Sequence, residues 1–205
     1  MMPILDALRT SLTQSRHVQD HLLAAVGKDF ESAGALCLTA LQDGHKLLFF
    51  GNGGSAADAQ HLAAELVGRF SRRRRALPAL ALTVNTSTLT AVANDFGFQE
   101  VFARQVEALG QPGDVAIALS TSGDSPNILA GLQAARRQGL ICIGLTGEGG
   151  GQLKTLVDVL LAVPSRHVPR VQEAHILLGH ALCAALETAL FGGASTAETG
   201  PAPAP

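Results

Sequence analysis

The sequence predicts a single α/β domain built from parallel βαβ units, and three observations lead to this fold class. Short apolar runs, β-branched or leucine-rich, alternate along the chain with longer runs of helical periodicity. The short runs are apolar almost throughout, as expected of strands that are buried on both faces of a parallel sheet. The length of 205 residues suits one domain and is sufficient to bury a hydrophobic core.

The elements follow from these patterns in chain order. Two helical stretches, 4–26 and 28–42, precede the sheet, and Asp43-Gly44 marks the end of the second. Strands are predicted over residues 46–51, 79–83, 114–120, 140–146 and 158–163. Further helices are predicted over 55–70, 86–95, 99–109, 125–138 and 170–190. We expect residues 1–191 to form one domain, and the aperiodic tail 192–205, rich in Gly, Ala and Pro, to be disordered.

Composition and charge limit the class of protein. The formal net charge of −2 gives no general attraction to nucleic acid or to a membrane surface. No segment approaches the roughly 20 uncharged apolar residues of a membrane-spanning helix, and the start lacks the basic-then-apolar layout of a signal peptide. Cys37, Cys142 and Cys183 are far apart and form no C-x-x-C pair. We therefore expect a cytoplasmic protein with neither a nucleic-acid nor a membrane partner.

The first loop of interest, Gly51-Asn52-Gly53-Gly54-Ser55-Ala56, leads from a predicted strand into a helix. Its glycines allow close approach of a ligand, and the helix start offers free N–H donors. The loop also fits the G-x-G-x-x-A pattern of dinucleotide-binding proteins, which requires an acidic residue after the next strand. The segment 79–85 contains no acidic residue, and no Gly-Lys-Ser/Thr follows for a Walker loop. Both nucleotide-binding interpretations are therefore disfavoured.

The second loop, Ser120-Thr121-Ser122-Gly123-Asp124-Ser125-Pro126, also connects a predicted strand to a helix. Four hydroxyl side chains fall within six residues, and Pro126 suits the first turn of a helix. With Ser125 as the N-cap, hydroxyl and N–H groups would converge on one point. The pattern favours a phosphate-monoester site over an ordinary capped loop.

Potential metal ligands lie on two predicted helices. His61 and Glu65 are four residues apart, which places them on one helix face about 6 Å apart, the spacing by which H-x-x-x-H helices bind zinc. Because this helix begins at the glycine loop, its polar face should line the same pocket. Gln172 and His180 lie about 12 Å apart along the C-terminal helix, too far for one copy to place both on one ion. We hypothesise that ligands converge from two subunits, or that this helix is distorted.

A run of four arginines, 72–75, separates a predicted helix from a predicted strand. The favoured interpretation is a solvated loop, and the alternative is a rim that attracts anions near the site.

Taken together, these motifs resemble those of the phosphoheptose isomerases, which are sugar isomerase (SIS) domain proteins. The resemblance extends from about residue 5 to residue 191 and rests on several motifs in the same order: the glycine loop, His61 with Glu65, Asn94-Asp95-Phe96-Gly97-Phe98, the serine-rich loop, and Gln172 with His180. It implies a flavodoxin-like, doubly wound sheet of five parallel strands with N-terminal helices. It also implies a homotetramer with active sites at subunit interfaces.

The resemblance further implies the reaction and the residues that carry it. Sedoheptulose 7-phosphate would be converted to D-glycero-D-manno-heptose 7-phosphate, a precursor of lipopolysaccharide and related glycans. The residues expected to contact the substrate are Asn52, Gly53, Gly54, Ser55, Glu65, Asn94, Asp95, Ser120, Thr121, Ser122, Ser125 and Gln172. The expected zinc ligands are His61, Glu65, Gln172 and His180. Aldose–ketose isomerisation moves a proton between C1 and C2 through an enediol, and Glu65 and His180 are the expected proton-transfer residues.

Other function classes share this scaffold. SIS-domain proteins that bind the replication initiator DnaA have a similar first loop, but typically lack counterparts of Glu65 and His180, which this chain has. A SIS-domain sensor would normally carry a fused DNA-binding domain, and 205 residues leave no room for one. An etherase acting on an amino-sugar phosphate does not need the His61, Glu65 and His180 set. The ligand positions therefore favour the isomerase.

Overall fold

A parallel sheet of five short strands forms the centre of the molecule in the computed structural model, which describes residues 3–192. The strands are β1 (Leu47–Gly51), β2 (Ala79–Ala81), β3 (Val115–Ser120), β4 (Ile141–Thr146) and β5 (Val159–Ala162). Their spatial order is β2-β1-β3-β4-β5, and every neighbouring pair is parallel. This is the doubly wound, flavodoxin-like order, so the predicted fold class is confirmed.

Helices cover both faces of the sheet. They are α1 (Pro3–Gln42), α2 (Gly54–Val67), α3 (Thr86–Phe96), α4 (Ala103–Leu109), α5 (Pro126–Arg137) and α6 (Val168–Phe191). Short 3₁₀ turns occur at Phe98–Glu100 and Leu153–Thr155. The predicted helix over 99–109 is therefore wrong over 99–102, where a 3₁₀ turn and two further turn residues precede α4.

The prediction of two separate N-terminal helices is also wrong, because α1 is one continuous helix of 40 residues. Gly27 lies within it, at a cost of about 1 kcal/mol relative to alanine. Val26, Ala33 and Cys37 are buried at helical spacing on either side of this position, so one apolar face continues through it. That face packs against α6, and its burial outweighs the local preference for a break.

The alternating side chains of the strands divide the core into two clusters. Leu47 and Phe49 of β1 face the layer that contains α1, α2 and α6. Leu48 and Phe50 face the opposite layer, which contains α4 and α5. Both faces of the sheet are thus buried, as the apolar strands predict. Helix α3 has no fully buried residue and packs on this second layer through the partly buried Leu89, Val92 and Ala93.

Helix α6 is long and apolar enough to cross a membrane by length and hydropathy alone. It nevertheless carries Arg170, His175 and Glu187, all of which are buried inside the domain. The helix packs against α1 and α2, so in this structure it serves as the central helix of one layer. The predicted disordered tail, 192–205, lies outside the described residues except for Gly192, which caps the C-terminal end of α6.

The topology defines where a ligand can bind. The connection after β1 leads to β2 on one side, whereas β3 is followed by β4 on the other side. The carboxyl ends of β1 and β3 therefore flank a switch point, where ligands bind in open α/β sheets. The glycine loop follows β1 and the serine-rich loop follows β3, so the fold brings the two predicted loops to the same crevice.

Candidate active site

The serine-rich loop places its hydroxyl groups at the start of α5. Ser125 is the N-cap residue and Pro126 begins the helix, as predicted. Ser120, buried at the end of β3, accepts a hydrogen bond from the Gly123 amide at 3.2 Å, and its Oγ lies 3.5 Å from Oγ of Ser125. The Ser125 side chain makes no capping bond. Pro126 has no N–H, and the Ile128 amide donates to the Ser125 carbonyl at 3.0 Å, so within the described structure the Asn127 backbone amide is the donor of this turn that remains for an anionic ligand.

A cavity of about 220 Å³ adjoins this loop and is lined by Thr121 and Ser122. Arg166 and Glu148 form its rim and pair with each other at 3.0 Å. Sequence reasoning missed both residues, because they belong to loops after β4 and β5 that carry no recognisable motif. Their position places one cation beside the predicted phosphate loop.

The glycine loop lies on the other side of the crevice. Gly53 is the N-cap residue of α2 and has a positive φ of 55°, a conformation that favours glycine. Gly54 lies directly beneath the Gln172 side chain, and a Cβ there would collide with the Gln172 amide. The loop residue Asn52 is bonded to Asn127 of α5, and Ser55 is buried.

Helices α2 and α6 bring three potential metal ligands together. The Nε2 atoms of His61 and His180 lie 2.8 Å apart, and Nε2 of His61 lies 3.3 Å from Oε1 of Glu65. All three ligand atoms fall within 4.8 Å of one another. The His61 side chain is 49% exposed and that of Glu65 is 22% exposed, so the cluster opens to solvent. His180 lies 119 positions after His61 along the chain, and the fold brings the two side chains together.

This donor set fits a divalent metal ion. Two imidazoles and one carboxylate converge on one point, and catalytic zinc sites combine three such protein ligands with one open position. Asp58, one turn before His61 on α2, supports the fit because its Oδ2 is buried without a hydrogen-bond partner. Burial raises the pKa of Asp58, and the nearby His61 and His180 partly offset this effect. In metal sites, a carboxylate that does not bind the ion itself commonly lies beside the ligating histidines and orients them.

Two groups of predicted site residues lie away from this cluster within one chain. Gln172 sits over Gly54 at the start of α2, about 10 Å along that helix from His61. Asn94 and Asp95 end α3, are exposed, and bond to each other at 2.7 Å. Phe96 beside them is also exposed.

The arginine run is divided between the surface and the interior. Arg72, Arg73 and Arg75 are exposed, as expected of a solvated loop. That prediction is wrong for Arg74, whose side chain is 2% exposed and pairs with Glu187 at 3.0 Å. The sequence gives no signal for this pairing, because Glu187 lies 113 residues further along the chain.

The chain is similar in sequence to proteins of known family. Residues 12–147 match the SIS domain family. The chain is 58% identical over 164 residues to the phosphoheptose isomerase of Paramagnetospirillum magneticum, which covers 80% of this chain and 85% of that protein. It is 50% identical over 171 residues to the phosphoheptose isomerase of Akkermansia muciniphila, covering 83% and 90% of the two chains.

Solved structures show the same similarity. The phosphoheptose isomerase of Neisseria gonorrhoeae superposes with a TM-score of 0.86 at 40% identity, covering 90% of this chain and 99% of that one. The phosphoheptose isomerase of Francisella tularensis gives a TM-score of 0.88 at 36% identity, covering 92% and 100%. The resemblance inferred from the motifs is thereby confirmed, and the chain belongs to the phosphoheptose isomerase family of SIS-domain proteins.

Proposed function

We propose that the protein isomerises sedoheptulose 7-phosphate to D-glycero-D-manno-heptose 7-phosphate in the cytoplasm, as a step toward the heptose of lipopolysaccharide and related glycans. The observation that carries the proposal is the convergence of His61, Glu65 and His180 from two helices, in a chain whose relatives are named phosphoheptose isomerases. The DnaA-binding alternative has no support among these relatives.

The serine-rich loop binds the phosphate in this proposal. Ser120, Thr121, Ser122 and Ser125 supply hydroxyl donors, and the start of α5 adds the Asn127 backbone amide and the positive end of a helix dipole. Asn52, Gly53, Gly54 and Ser55 line the opposite wall, where the glycine backbone allows the sugar to approach closely. This arrangement orients C1 and C2 of the sugar relative to the ligand cluster.

The metal site holds zinc in this proposal, with His61, Glu65 and His180 as ligands from one chain. When bound, zinc supplies Lewis-acid polarisation of the substrate carbonyl and the adjacent hydroxyl. Gln172 is the fourth proposed ligand. Because it lies over Gly54 in its own chain, we infer that it reaches the cluster of a second copy across a subunit interface of a homotetramer.

Glu65 and His180 transfer the protons of the reaction. Oε1 of Glu65 faces the His61 ring, and in the described part of the chain Oε2 accepts no hydrogen bond, so this oxygen is free to take the proton from carbon. His180 exchanges a proton with the oxygen on the other side of the enediol. Asn94 and Asp95, exposed at the end of α3, orient the sugar hydroxyls in the assembled oligomer.

Turnover of sedoheptulose 7-phosphate by the purified protein tests this function, before and after chelation and with zinc added back. We expect activity to disappear with the chelator and to return with zinc. A folded, metal-loaded protein with no turnover would refute the isomerase. Full activity in the chelated protein would leave the reaction in place and eliminate the metal role.

A further inference from the structure

Glu187 is a buried carboxylate that holds the loop after α2. It lies on α6, is 1% exposed, and accepts five hydrogen bonds from that loop. The donors are the amides of Phe70, Ser71 and Arg72, the Ser71 hydroxyl and Nε of Arg74. One side chain of α6 thereby fixes the backbone over three consecutive residues.

Arg74 completes the connection on the side of α2. Its Nη2 donates to the carbonyl oxygen of Glu65 at 2.8 Å, and its Nη1 donates to the carbonyl oxygen of Leu66 at 2.8 Å. A further bond of Nη1 reaches the carbonyl oxygen of Gly68 at 3.1 Å. The last carbonyl groups of a helix have no intrahelical partner, so the guanidinium group completes the C-terminal end of α2 at the residue that carries the candidate base.

The opposite end of the connection reaches His180. Glu187 follows His180 by two turns on α6. Phe70, whose amide Glu187 binds, packs its ring 5.7 Å from the His180 ring. Arg74 therefore contacts Glu65 directly, through the Glu65 backbone carbonyl. Glu187 contacts His180 indirectly, because it binds the amide of Phe70, whose ring packs on His180.

We propose that Arg74 and Glu187 are positioning residues, which hold the Glu65-bearing end of α2 at a fixed distance from His180 on α6. The inference rests on the proposed function, since it assigns the pair a role toward the same metal site. Neither side chain reaches the substrate, because both are almost fully buried. Their effect is on the geometry in which Glu65 and His180 meet an ion.

The Glu187 carboxylate stays ionised over the working pH range. Burial raises the pKa of Glu187, but the hydrogen bonds from the Ser71 hydroxyl and from the Ser71, Arg72 and Phe70 amides outweigh it and lower the pKa to about 2. The connection is therefore intact wherever an isomerase assay would be performed.

The chain offers a matched control at the other end of the sheet. Asp114 is also 1% exposed, pairs with Lys46 at 2.5 Å and accepts backbone amide bonds from Lys46 and Gln111. It precedes β3 and thus lies at the amino edge, away from both site loops. Substitutions there carry a similar structural cost without contact to the ligand cluster.

The experiment compares Arg74→Lys and Glu187→Gln with Lys46→Arg and Asp114→Asn. In each pair, one variant exchanges the cationic side chain for the other type, and the second replaces a buried carboxylate with a neutral amide. Urea unfolding, zinc affinity of the metal-free protein by competition with a chromophoric chelator, and kcat and KM are measured for all four. Ser71→Ala, which removes one neutral donor to Glu187, provides a mild variant that folds if Glu187→Gln does not.

We expect all of these variants to lose some stability. Only those at Arg74, Glu187 and Ser71 should also weaken zinc binding and lower kcat, with KM little changed. For Arg74→Lys the loss of zinc affinity should be about tenfold or more, as for residues that orient metal ligands without binding the ion. Equal zinc affinity and kcat in the two sets, at equal stability, would overturn the positioning role. A wild-type protein that binds no zinc and turns over no substrate would instead refute the proposed function.

Discussion

Asn52 and Asn127 exchange two hydrogen bonds, each 2.8 Å long, across the crevice between β1 and β3. Asn52 belongs to the glycine loop, and Asn127 follows the serine-rich loop in the first turn of α5. The Asn127 side chain is buried, with the residue 3% exposed. Its side-chain amide is therefore not available to a ligand and connects the two loops. The two walls of the proposed substrate site are thereby held in register.

Replacing Asn127 by alanine should therefore affect both stability and substrate binding. The Asn52 side-chain amide loses both partners. Because Asn52 is only half-buried, we expect a cost toward the lower end of the about 1–3 kcal/mol of an unsatisfied buried polar group. We expect KM for the sugar phosphate to rise more than kcat falls, because the ligand cluster is untouched. Asn127→Asp keeps an acceptor for Asn52 and should have an intermediate effect. Steady-state kinetics with urea unfolding measure both quantities, and an unchanged KM in Asn127→Ala would contradict the connecting role.

The close approach of α2 and α6 gives a second prediction. A Cβ on Gly179 would lie 2.5 Å from the Leu62 side chain, next to the positions of His61 and His180. Gly179→Ala should push the helices apart, lower stability and weaken metal binding. Gly34→Ala is the matched control on α1, where a Cβ would meet a neighbour only at 3.9 Å. It should be neutral or stabilising by up to about 1 kcal/mol, and equal metal affinity in the two variants would contradict the prediction.

A buried histidine makes stability depend on pH. Burial lowers the pKa of His175 to about 4, partly offset by its hydrogen bond to the Thr146 carbonyl. The unfolded chain has a histidine pKa near 6.5, so protons bind the unfolded state first as the pH falls. The contribution of the neutral ring is complete above pH 6.5 and is lost progressively toward pH 4. Between pH 7 and pH 5 the free energy of unfolding should fall by about 2 kcal/mol.

Urea unfolding of the wild type and of His175→Gln over this range tests that expectation. Glu187 stays ionised there, because its pKa is about 2, so the Arg74–Glu187 pair does not contribute to the slope. The variant should be less stable at pH 7 and show a shallower pH dependence. Parallel slopes for the two proteins would mean that His175 is not the responsible group.

Glu65 carries the most specific chemical assignment. Glu65→Gln preserves the shape and a ligand oxygen but cannot accept a proton, so turnover should be abolished while the fold remains. Binding of inorganic phosphate to the serine-rich loop should be unchanged, because that loop follows β3, whereas Glu65 lies on α2, which follows β1. Equilibrium dialysis and stopped assays measure the two effects, and normal turnover in the variant would exclude Glu65 as the base.

The parts of the site that were predictable from the sequence are those encoded locally. The His61–Glu65 spacing and the two strand-to-helix loops each lie within a short segment, and periodicity alone placed their elements. Asn127, Glu187 and Asp58 were not assigned roles because their partners or surroundings depend on tertiary packing. An asparagine in a first helical turn and a glutamate on an apolar helix match many ordinary surface residues.

The errors in the predicted fold have the same origin. In the sequence, Gly27 indicates a break between two helices. The helix is continuous at this residue because one face of α1 stays buried against α6 on both sides of it. Arg74 lies in a run of four arginines that looks uniformly solvated. Its burial depends on a carboxylate more than a hundred residues away, and no local pattern reports such a partner.

The proposal that two subunits share a metal site can be tested by mixing two inactive variants. If a site takes His180 from one copy and Gln172 from another, His180→Ala and Gln172→Ala should each be inactive as pure proteins. Unfolding and refolding them together in equal amounts produces mixed interfaces. In a symmetric interface every contact occurs twice, so one of the two sites in a mixed pair contains both mutations and the other contains neither.

Random assortment then restores on the order of a quarter of wild-type activity. The control mixes His61→Ala with His180→Ala, which remove two ligands contributed by the same chain. No site in that mixture has a complete set, so activity should stay at the level of the pure variants. Recovery in the first mixture alone would support ligands from two subunits. No recovery in either, with mixed oligomers verified by mass spectrometry, would place all working ligands within one chain.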